Sequence, residues 1–535
     1  MFHSDGSPVT SAFANAAANF TVSYNATSQS YTVSTGSRSQ TFTPADQVAS
    51  GSTDFRAFEK SSGNLHESLS LTVPGSSGAL QYQYVGGGAW ERANLGSTTL
   101  DFTYNPFTYG FATADANLAR SGTGLFSVSL VGARENDMPY SMAGSGTMQV
   151  DFGSGKLSSS GVLTTIDTSS GVIQSLGVYY GAAQLSSTTN AFSGTFAMDD
   201  GTRFTGGWNG RFYGPANQEV GAAWYISSAG GEYASGYLLG RSDNTVAAYN
   251  TSLAPLQFSE NFDHRFSELD FHDNGDGTAA SGSTFLRSDG RLSFDAGANS
   301  YTYVQIARGS GNAWTEVGGT STAFPASSLN AGASNSNVTV YDVTNSGTAY
   351  RLTLMKAGAS NPTIQLSYAS FGRWQQMQTG TSDAKDRWFA WGVRTNAFQI
   401  PTGTGHFEGI LVGKGTTDQG GAAYDLTGTS TFDVNFGAAT FTGSLHPVGK
   451  DLSTLATRDF GAYSVAGGLM DADGGLTANV VDKSSNYLGY FEGALYGPGA
   501  KEIGGTFGFK SGQYSAWDPA YAGITNLSGA VVGKR

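Results

Sequence analysis

An acidic, histidine-containing segment offers the clearest set of metal-ligating side chains in the sequence. It spans residues 260–277 and carries His264, Asp270 and His272. On a strand, Asp270 and His272 face the same side because they are two residues apart, and they can share a metal ion with His264 nearby. Runs of charge are more often a solvated surface. We therefore expect either a divalent-metal site or a solvent-exposed acidic start to the second half of the chain.

Motifs for covalent, metal-dependent or phosphate chemistry are missing. The sequence contains no Gly-x-Ser-x-Gly, no His-Glu-x-x-His and no Gly-x-x-x-x-Gly-Lys-Ser/Thr. It also contains no cysteine, which excludes disulfides, thiolate metal sites and cysteine nucleophiles. A glycosidase-type carboxylate pair depends on the fold and is not judged from spacing. We expect a protein that is not an enzyme.

The most specific pattern is a phrase of twelve residues that occurs twice. Gly-x-x-Tyr-Gly-Pro-x-x-x-Glu-(Val/Ile)-Gly spans residues 210–221 and again 493–504, and its two tyrosines lie 283 positions apart. Upstream matches keep offsets of 281 to 284, among them Trp90 with Trp374. An offset that varies so little indicates two copies of one domain, with insertions confined to loops.

We interpret the repeated phrase as a structural turn. Proline fixes φ, the glycines permit the turn and close backbone packing, and the glutamate can accept hydrogen bonds from the turn amides. A ligand role for the glutamates is the alternative. The residues concerned are Tyr213, Gly214, Pro215, Glu219 and Gly221 in the first copy and Tyr496, Gly497, Pro498, Glu502, Gly504 and Gly505 in the second.

Composition favours β-structure and excludes several partners. Glycine accounts for 75 of 535 residues and charged residues for 13%, about half of the roughly 25% usual in soluble domains. The net charge of −13, without clustered Lys and Arg, argues against nucleic acid and anionic lipid surfaces as partners. No apolar run predicts a transmembrane helix, and no basic region followed by an apolar one predicts a signal peptide.

Apolar residues alternate with period two through most of the chain, which predicts half-buried antiparallel strands. Asp-Gly and Asn-Gly turn signals separate these strands. Short strands with glycine at the corners favour closed barrels, since closure removes exposed sheet edges. In each copy a Ser/Thr-rich part precedes a glycine-dense part. We expect an all-β protein of two lobes, each with two subdomains, the second being a barrel.

The second copy resembles the transferrin-binding protein B-like surface lipoproteins of Gram-negative bacteria. The matching phrases occur in family order: Tyr-Ala-Ser-Phe-Gly-Arg-Trp (368–374), Phe-Ala-Trp-Gly (389–392), Ile-Pro-Thr-Gly-Thr-Gly-His-Phe-Glu-Gly (400–409), Val-Asn-Phe-Gly (434–437), Leu-Tyr-Gly-Pro (495–498) and Glu-Ile-Gly-Gly (502–505). The resemblance implies that each lobe is a small β "handle" subdomain followed by an eight-stranded antiparallel β-barrel.

The resemblance and the change in composition give the expected domain boundaries. Lobe 1 departs from the family at Gly86-Gly-Gly-Ala-Trp90, which bears on its ligand specificity and not on its fold. We expect a lobe 1 handle (1–88), a lobe 1 barrel (89–242), a polar linker (243–257), a lobe 2 handle (258–372) and a lobe 2 barrel (373–535).

The resemblance implies binding without catalysis. Such proteins capture an iron carrier protein, haem or a similar nutrient and present it to a TonB-dependent outer-membrane transporter, usually through the N-terminal lobe. We therefore expect a location on the outer-membrane surface or outside the cell. The lipidated cysteine that anchors the family is absent here, so membrane attachment needs an anchor not in this chain. A structural or adhesive surface protein, such as a filament or surface-layer subunit, fits the composition equally well.

Candidate ligand-binding residues lie in lobe 1. An aromatic run, whose lobe 2 counterpart 380–388 is polar and charged, is either an exposed barrel loop that anchors a partner or a strand buried against the handle. No cofactor is required, but haem capture is a family possibility. The residues are Phe102, Tyr104, Phe107 and Tyr109 in the run, and His66, Tyr82 and Tyr84 as axial or stacking groups for haem.

Overall fold

A computed structural model describes residues 2–3, 20–50, 53–73, 75, 82–97, 99–134, 140–166, 173–308, 316–378, 382–417, 421–512 and 524–535. Within these ranges the chain is almost entirely β-strand, and no helix in them is long and apolar enough to cross a membrane. Its helical turns are the short 3-10 segments Pro44–Asp46, Asp115–Asn117, Ala326–Ser328 and Ala397–Gln399. The chain divides into two compact units, Met1–Ala248 and Tyr249–Arg535, which we call lobe 1 and lobe 2.

The handle of lobe 1 contains nine described strands. They are β1 (Phe2–His3), β2 (Thr21–Asn25), β3 (Ser30–Thr35), β4 (Arg38–Phe42), β5 (Gln47–Val48), β6 (Phe55–Ser62), β7 (Leu65–Thr72), β8 (Val85–Leu95) and β9 (Thr99–Gly110). One sheet has the order β1-β9-β8-β7-β6-β5, and β2-β3-β4 form a second. The apolar faces of the two sheets share one core, in which Val33 and Phe42 meet Phe58, Leu69 and Trp90.

A closed barrel of eight antiparallel strands follows in lobe 1. The strands are β10 (Thr123–Arg134), β11 (Tyr140–Asp151), β12 (Lys156–Ile166), β13 (Ile173–Leu185), β14 (Phe192–Asp199), β15 (Arg203–Tyr213), β16 (Glu219–Ser228) and β17 (Tyr233–Ser242). Pairing of β10 with β17 closes it. Alternate side chains point inward, so Phe126, Phe196, Trp208 and Trp224 fill the interior.

The handle of lobe 2 is one continuous sheet. Its strands are β18 (Glu260–Asp273), β19 (Thr278–Asp295), β20 (Ser300–Arg308), β21 (Glu316–Phe324), β22 (Val338–Asn345), β23 (Thr348–Met355), β24 (Ala369–Gln378) and β25 (Asp383–Gly392). Because β18 pairs with both β19 and β25, the order is β21-β20-β19-β18-β25-β24-β23-β22. Phe266, Tyr303, Trp374 and Phe389 lie in its core.

Lobe 2 ends in a second eight-stranded barrel. Its strands are β26 (Thr404–Thr417), β27 (Gly421–Asn435), β28 (Thr440–Asp451), β30 (Tyr463–Met470), β31 (Gly475–Val481), β32 (Tyr487–Tyr496), β33 (Glu502–Lys510) and β34 (Thr525–Lys534), with the short β29 (Thr457–Asp459) beside β28. Pairing of β26 with β34 closes the barrel. The expectation of an all-β chain with an eight-stranded barrel in each lobe is confirmed.

The boundary between handle and barrel lies later than expected in both lobes. The expected barrels began at residues 89 and 373, but the first barrel strands begin at Thr123 and Thr404. Trp90 and Trp374 lie on strands that pair with β7 and β23 and fill the handle cores. The glycine-dense composition starts early because β8 itself packs against the barrel: a Cβ on Gly87 would overlap the ring of Tyr237.

Candidate functional site

A buried glutamate joins handle and barrel in lobe 1. Glu219 opens barrel strand β16, and its carboxylate accepts three backbone N–H groups at the start of handle strand β8. The donors are Gln83 at 2.7 Å, Tyr84 at 2.7 Å and Val85 at 2.8 Å. Hydrogen bonds to a charged acceptor are stronger than neutral ones, and here three of them balance a charge removed from water.

The same joint recurs in lobe 2. Glu502 opens β33 and accepts N–H groups from Ser367 at 2.7 Å, Tyr368 at 2.8 Å and Ala369 at 2.7 Å, at the start of β24. The sequence predicted that these glutamates accept hydrogen bonds from amides of the adjoining turn. The amides instead belong to the handle, more than 130 residues earlier in the chain. We call this arrangement the glutamate joint.

The Tyr-Gly-Pro turns complete the joint. Gly214 and Gly497 have φ of 85° and 73°, which favours glycine. Their carbonyls accept the hydroxyls of Thr113 and Thr395 at 2.5 and 2.8 Å. A Cβ on Gly214 would lie 2.7 Å from the ring of Tyr84, and one on Gly497 would overlap Tyr368. The turn therefore forms the surface on which the handle rests.

Of the other residues in the repeated phrase, some contact the handle and some lie in the barrel. Tyr213 is buried and its hydroxyl lies 3.0 Å from that of Thr108 on β9. Gly221 and Gly504 lie beneath handle residues, whereas Gly505 lies against Phe491 inside the barrel. The remaining positions are the exposed Pro215, the half-buried Pro498 and the buried Tyr496.

The two lobes fill the same interface in opposite ways. In lobe 1 the large Tyr237 of β17 lies on Gly87 of the handle. At the matching places in lobe 2, Phe371 of the handle shares a buried cluster with the small Ala530 of β34. The unusual Gly86-Gly-Gly88 of lobe 1 is thus matched by a larger side chain on its barrel, and the fold is unchanged because the total volume is conserved.

Tyrosines of lobe 1 predicted as ligands line this interface. The hydroxyl of Tyr82 lies 2.9 Å from both the Ser129 hydroxyl and the Leu239 carbonyl, and the Tyr109 hydroxyl donates to Thr72 O at 2.6 Å. Burial raises the pKa of Tyr82 and of Tyr109 to about 12 and raises that of Tyr104 further. A phenol that stays protonated is a poor axial ligand for haem iron.

The predicted haem groups are not brought together. His66 is exposed on β7, where its Nδ1 and the Ser61 hydroxyl lie 2.8 Å apart. Thr72, whose carbonyl accepts the Tyr109 hydroxyl, ends β7. It lies six residues from His66, which is roughly 20 Å along the strand. Tyr84, half-buried, packs on Gly214. His66 and the tyrosines belong to different parts of the handle.

The aromatic run is a handle strand. β9 pairs with β8 from Leu100, opposite Leu95, to Gly110, opposite Val85. Phe107 is buried and stacks on Phe20 with ring centroids 4.8 Å apart. The interpretation as a barrel loop is wrong, because the run is a strand of the handle sheet. Side chains on one face of this strand are buried, and those on the other face are more exposed. Of the four rings, Phe102 is the exposed one, at 38%.

Each of the predicted metal ligands contacts a different partner. His264 is buried on Phe389, with ring centroids 4.1 Å apart, and its Nδ1 donates to the Phe262 carbonyl at 3.1 Å. Asp270 pairs with Lys385 at 3.1 Å and His272 with Asp383 at 2.9 Å. His264 and His272 are eight residues apart, roughly 26 Å on a strand. Among the described residues no three His, Cys, Asp or Glu side chains form a metal site.

The buried ion pairs on β24 and β25 were not predicted from the sequence. Arg373 donates to both carboxylate oxygens of Asp386, and Arg387 pairs with Glu268 while lying 4.4 Å over the ring of Trp374. In the sequence, Asp383 to Arg387 alternates in charge and looks like a solvated surface. The available signal was the tryptophan that follows each arginine, because pairing of β24 with β25 places Arg373 opposite Trp388 and Arg387 opposite Trp374, with each guanidinium over a ring.

A sequence model of one family matches the second barrel. Residues 395–530 match the model described as C-lobe and N-lobe beta barrels of Tf-binding protein B. The match contains nearly all of β26 to β34. The resemblance to transferrin-binding protein B that the sequence predicted is confirmed. No curated protein matches the chain.

Several solved structures are similar to the chain at low identity. A Tyr/Trp double mutant of transferrin-binding protein B from Haemophilus parasuis Hp5 is 14% identical, with 87% of this chain and 85% of that chain covered and a TM-score of 0.27. The isotype 1 transferrin-binding protein B from serogroup B Neisseria meningitidis is 13% identical, with 86% of this chain and 86% of that chain covered and a TM-score of 0.26. HpuA from Kingella denitrificans, in complex with human haemoglobin, is 13% identical, with 44% of this chain and 83% of that chain covered and a TM-score of 0.23.

Proposed function

We propose that this protein, whose second barrel matches the barrels of transferrin-binding protein B, captures a nutrient ligand at the surface of a Gram-negative bacterium. The ligand is an iron carrier protein, haem or a similar molecule, and the protein delivers it to a TonB-dependent outer-membrane transporter by binding and release. The observation that carries the proposal is the family match over residues 395–530, extended to lobe 1 by the shared glutamate joint.

The joint supports a capture role because it makes a rigid scaffold. Three charge-assisted hydrogen bonds fix each handle to its own barrel. A surface held in one arrangement loses less conformational entropy on binding than a flexible one. Handle and barrel of one lobe can then present a single binding surface to a large ligand.

We place the ligand surface on lobe 1. Exposed apolar side chains lie at both ends of the β8–β9 hairpin there: Leu95 and Phe102 are near its tip, and Phe111, with 78% of its side chain exposed, follows the other end of β9. Aromatic side chains of this kind anchor protein partners. The net charge of −13 favours a ligand with a basic face.

Hand-over without bond chemistry agrees with the described site, in which the perturbed tyrosines and the buried glutamates serve packing and hydrogen bonding. The haem version of the proposal requires a site other than His66, Tyr82 and Tyr84, which the fold separates or buries.

Binding of a panel of ligands to the purified full-length protein tests the proposal. Transferrin, haemoglobin and haemin are offered separately, and complexes are detected by native mass spectrometry with an absorbance scan in the haem Soret region. We expect one stable complex with a monomeric protein, weakened by Phe102→Glu or Phe111→Glu. No binding, together with ordered polymers in electron micrographs, would favour the structural or adhesive alternative.

A further inference from the structure

Tyrosine rings contact each other at three places in the described part of the chain. The pairs are Tyr24 with Tyr31, Tyr301 with Tyr341, and Tyr487 with Tyr490. Two neighbouring phenols can be joined by oxidation, which makes a carbon–carbon bond between their rings. The chain has no cysteine, so no disulfide can brace it, whereas a bond of this kind needs only tyrosine.

We propose that Tyr24 and Tyr31, in the handle of lobe 1, form a site of oxidative cross-linking. The oxidant is hydrogen peroxide activated by haem iron, as in a peroxidase. The cross-link joins the two strands of the β2–β3 hairpin and makes their pairing permanent. The proposal does not depend on which nutrient the protein captures.

Strand pairing sets the two rings side by side. Tyr24 on β2 lies directly opposite Tyr31 on β3, and such opposite residues have Cβ atoms about 4.5–5.5 Å apart. The ring centroids are 4.8 Å apart with an interplanar angle of 40°, near the short end of the range of about 4.5–7 Å for aromatic pairs. Because χ2 of tyrosine is a soft torsion, a small ring rotation suffices to bring together the carbons beside the two hydroxyl groups.

The surrounding structure holds the pair in place. The Asn25 side chain accepts the N–H groups of Thr27 at 2.9 Å and Ser28 at 3.2 Å, which fixes the turn of the hairpin. Tyr31 packs on Phe58 of the larger handle sheet, with ring centroids 5.6 Å apart. One ring of the pair is therefore anchored, and the other needs no large movement to reach it.

Oxidation of a phenol is easiest where its proton can leave to water. Tyr24 is 53% exposed and Tyr31 is half-buried, so solvent reaches this pair. Tyr301 and Tyr341 differ, because burial raises the pKa of both phenols. Removal of an electron from either would create a charge away from water, which is costly. We therefore expect the lobe 1 pair to react before this one.

The third pair is exposed but has a different orientation. Tyr487 is 48% exposed, and its ring meets that of Tyr490 edge to face, with an interplanar angle of 67° and centroids 5.1 Å apart. The edge of one ring then points at the face of the other, so the carbons beside the two hydroxyl groups do not face each other. This pair separates the effect of exposure from the effect of ring orientation.

The reaction balances with peroxide as the sole oxidant. Each phenol gives up one hydrogen atom, as an electron and a proton, and the peroxide is reduced to two molecules of water. The two phenoxyl radicals couple through the ring carbons beside their oxygens. The hydrogens on those carbons leave as protons and the oxygens take up protons from water, which restores both hydroxyl groups. The product is two hydrogen atoms lighter than the starting pair.

Oxidation of the dilute full-length protein by a haem peroxidase and hydrogen peroxide tests the proposal. Trypsin leaves residues 1–38 in one fragment, since Arg38 is the first Lys or Arg of the chain. We expect this fragment to lose two hydrogen atoms and to acquire the fluorescence of dityrosine. Further cleavage between Tyr24 and Tyr31 with elastase should leave the two halves joined.

Conservative variants give the controls. Tyr24→Phe and Tyr31→Phe keep an aromatic ring at each place but should abolish both the loss of hydrogen and the fluorescence of the fragment. Tyr301 and Tyr341 should stay unlinked under the same conditions. In the cross-linked protein, hydrogen exchange of the amides that join β2 to β3 should slow at least about tenfold.

Three results would overturn the proposal. The first is a fragment 1–38 that keeps its mass after the peroxide is consumed, or that is linked only in covalent dimers. The second is an equal loss of hydrogen from this fragment in Tyr24→Phe. The third is a cross-link between Tyr487 and Tyr490 with none at Tyr24, because exposure and not ring orientation would then decide the site.

Discussion

Removal of the glutamate joint is the perturbation with the best-defined structural consequence. Glu219→Ala leaves the N–H groups of Gln83, Tyr84 and Val85 without their acceptor. Gln83 is exposed and returns to water, but Val85 is buried and Tyr84 half-buried. An unsatisfied buried donor costs about 1–3 kcal/mol, so we expect the docking of the lobe 1 handle to weaken by about 2–5 kcal/mol.

The matched change in lobe 2 adds a second expectation. Glu502→Ala leaves the N–H groups of the buried Tyr368 and Ala369 without their acceptor, whereas Ser367 is exposed. The loss in lobe 2 should therefore be at least as large as in lobe 1. Glu219→Gln keeps one oxygen for Tyr84 and Val85 and should cost only about 1 kcal/mol.

Hydrogen exchange is the assay, because a chain of two lobes does not unfold in one step. Exchange at the start of β8 should accelerate at least about thirtyfold in Glu219→Ala, since 1.4 kcal/mol corresponds to a factor of ten. The exposed Glu59→Ala on β6 should have no effect. A folded Glu219→Ala protein whose β8 exchange changes less than about twofold would refute the role given to the joint.

Three further predictions concern the interiors of the lobes. Gly87→Phe should destabilise lobe 1, because its Cβ would overlap Tyr237, and adding Tyr237→Ala should restore part of the loss, as measured by hydrogen exchange of the lobe concerned in single and double variants. Arg387→Met, which leaves the buried Glu268 with Lys385 at 3.8 Å as its remaining cation, should cost about 3 kcal/mol in the same assay, and less if Glu268→Gln is added. Burial lowers the pKa of His264 from 6.5 to about 3, so between these pH values the unfolded chain binds a proton that the folded chain does not. Lobe 2 should therefore lose up to about 1.4 kcal/mol for each pH unit as the pH falls from about 6.5 towards about 3, and His264→Phe should remove that part of the pH dependence.

Much of the fold followed from local patterns. Period-two alternation and Asp-Gly turns predicted the strands, and the doubled phrase around Tyr213 and Tyr496 predicted two lobes of one construction, each with a closed barrel. These features are encoded within a few residues of each other. The spacing of the two copies also aligned Glu219 with Glu502, which occupy the same place in both lobes.

The contacts of the site were not predictable in the same way. The amides bound by Glu219 lie about 135 residues upstream, and sequence spacing gives no measure of such long-range pairing. Phe107 looked like a loop anchor because its lobe 2 counterpart region is charged, yet in lobe 2 the charges themselves are buried, with Arg387 paired to Glu268. Apolar and paired charged residues can fill equivalent interior places, so polarity alone did not distinguish them.

Co-purification from the outer membrane tests the capture function most directly. The tagged full-length protein is displayed on cells of its native host, supplied with the ligand that it binds in the panel, crosslinked and purified, and its partners are identified by mass spectrometry. We expect one TonB-dependent transporter and the ligand in the same complex, with the ligand lost in Phe102→Glu. Recovery of the protein alone, or only as ordered polymers of itself, would contradict it.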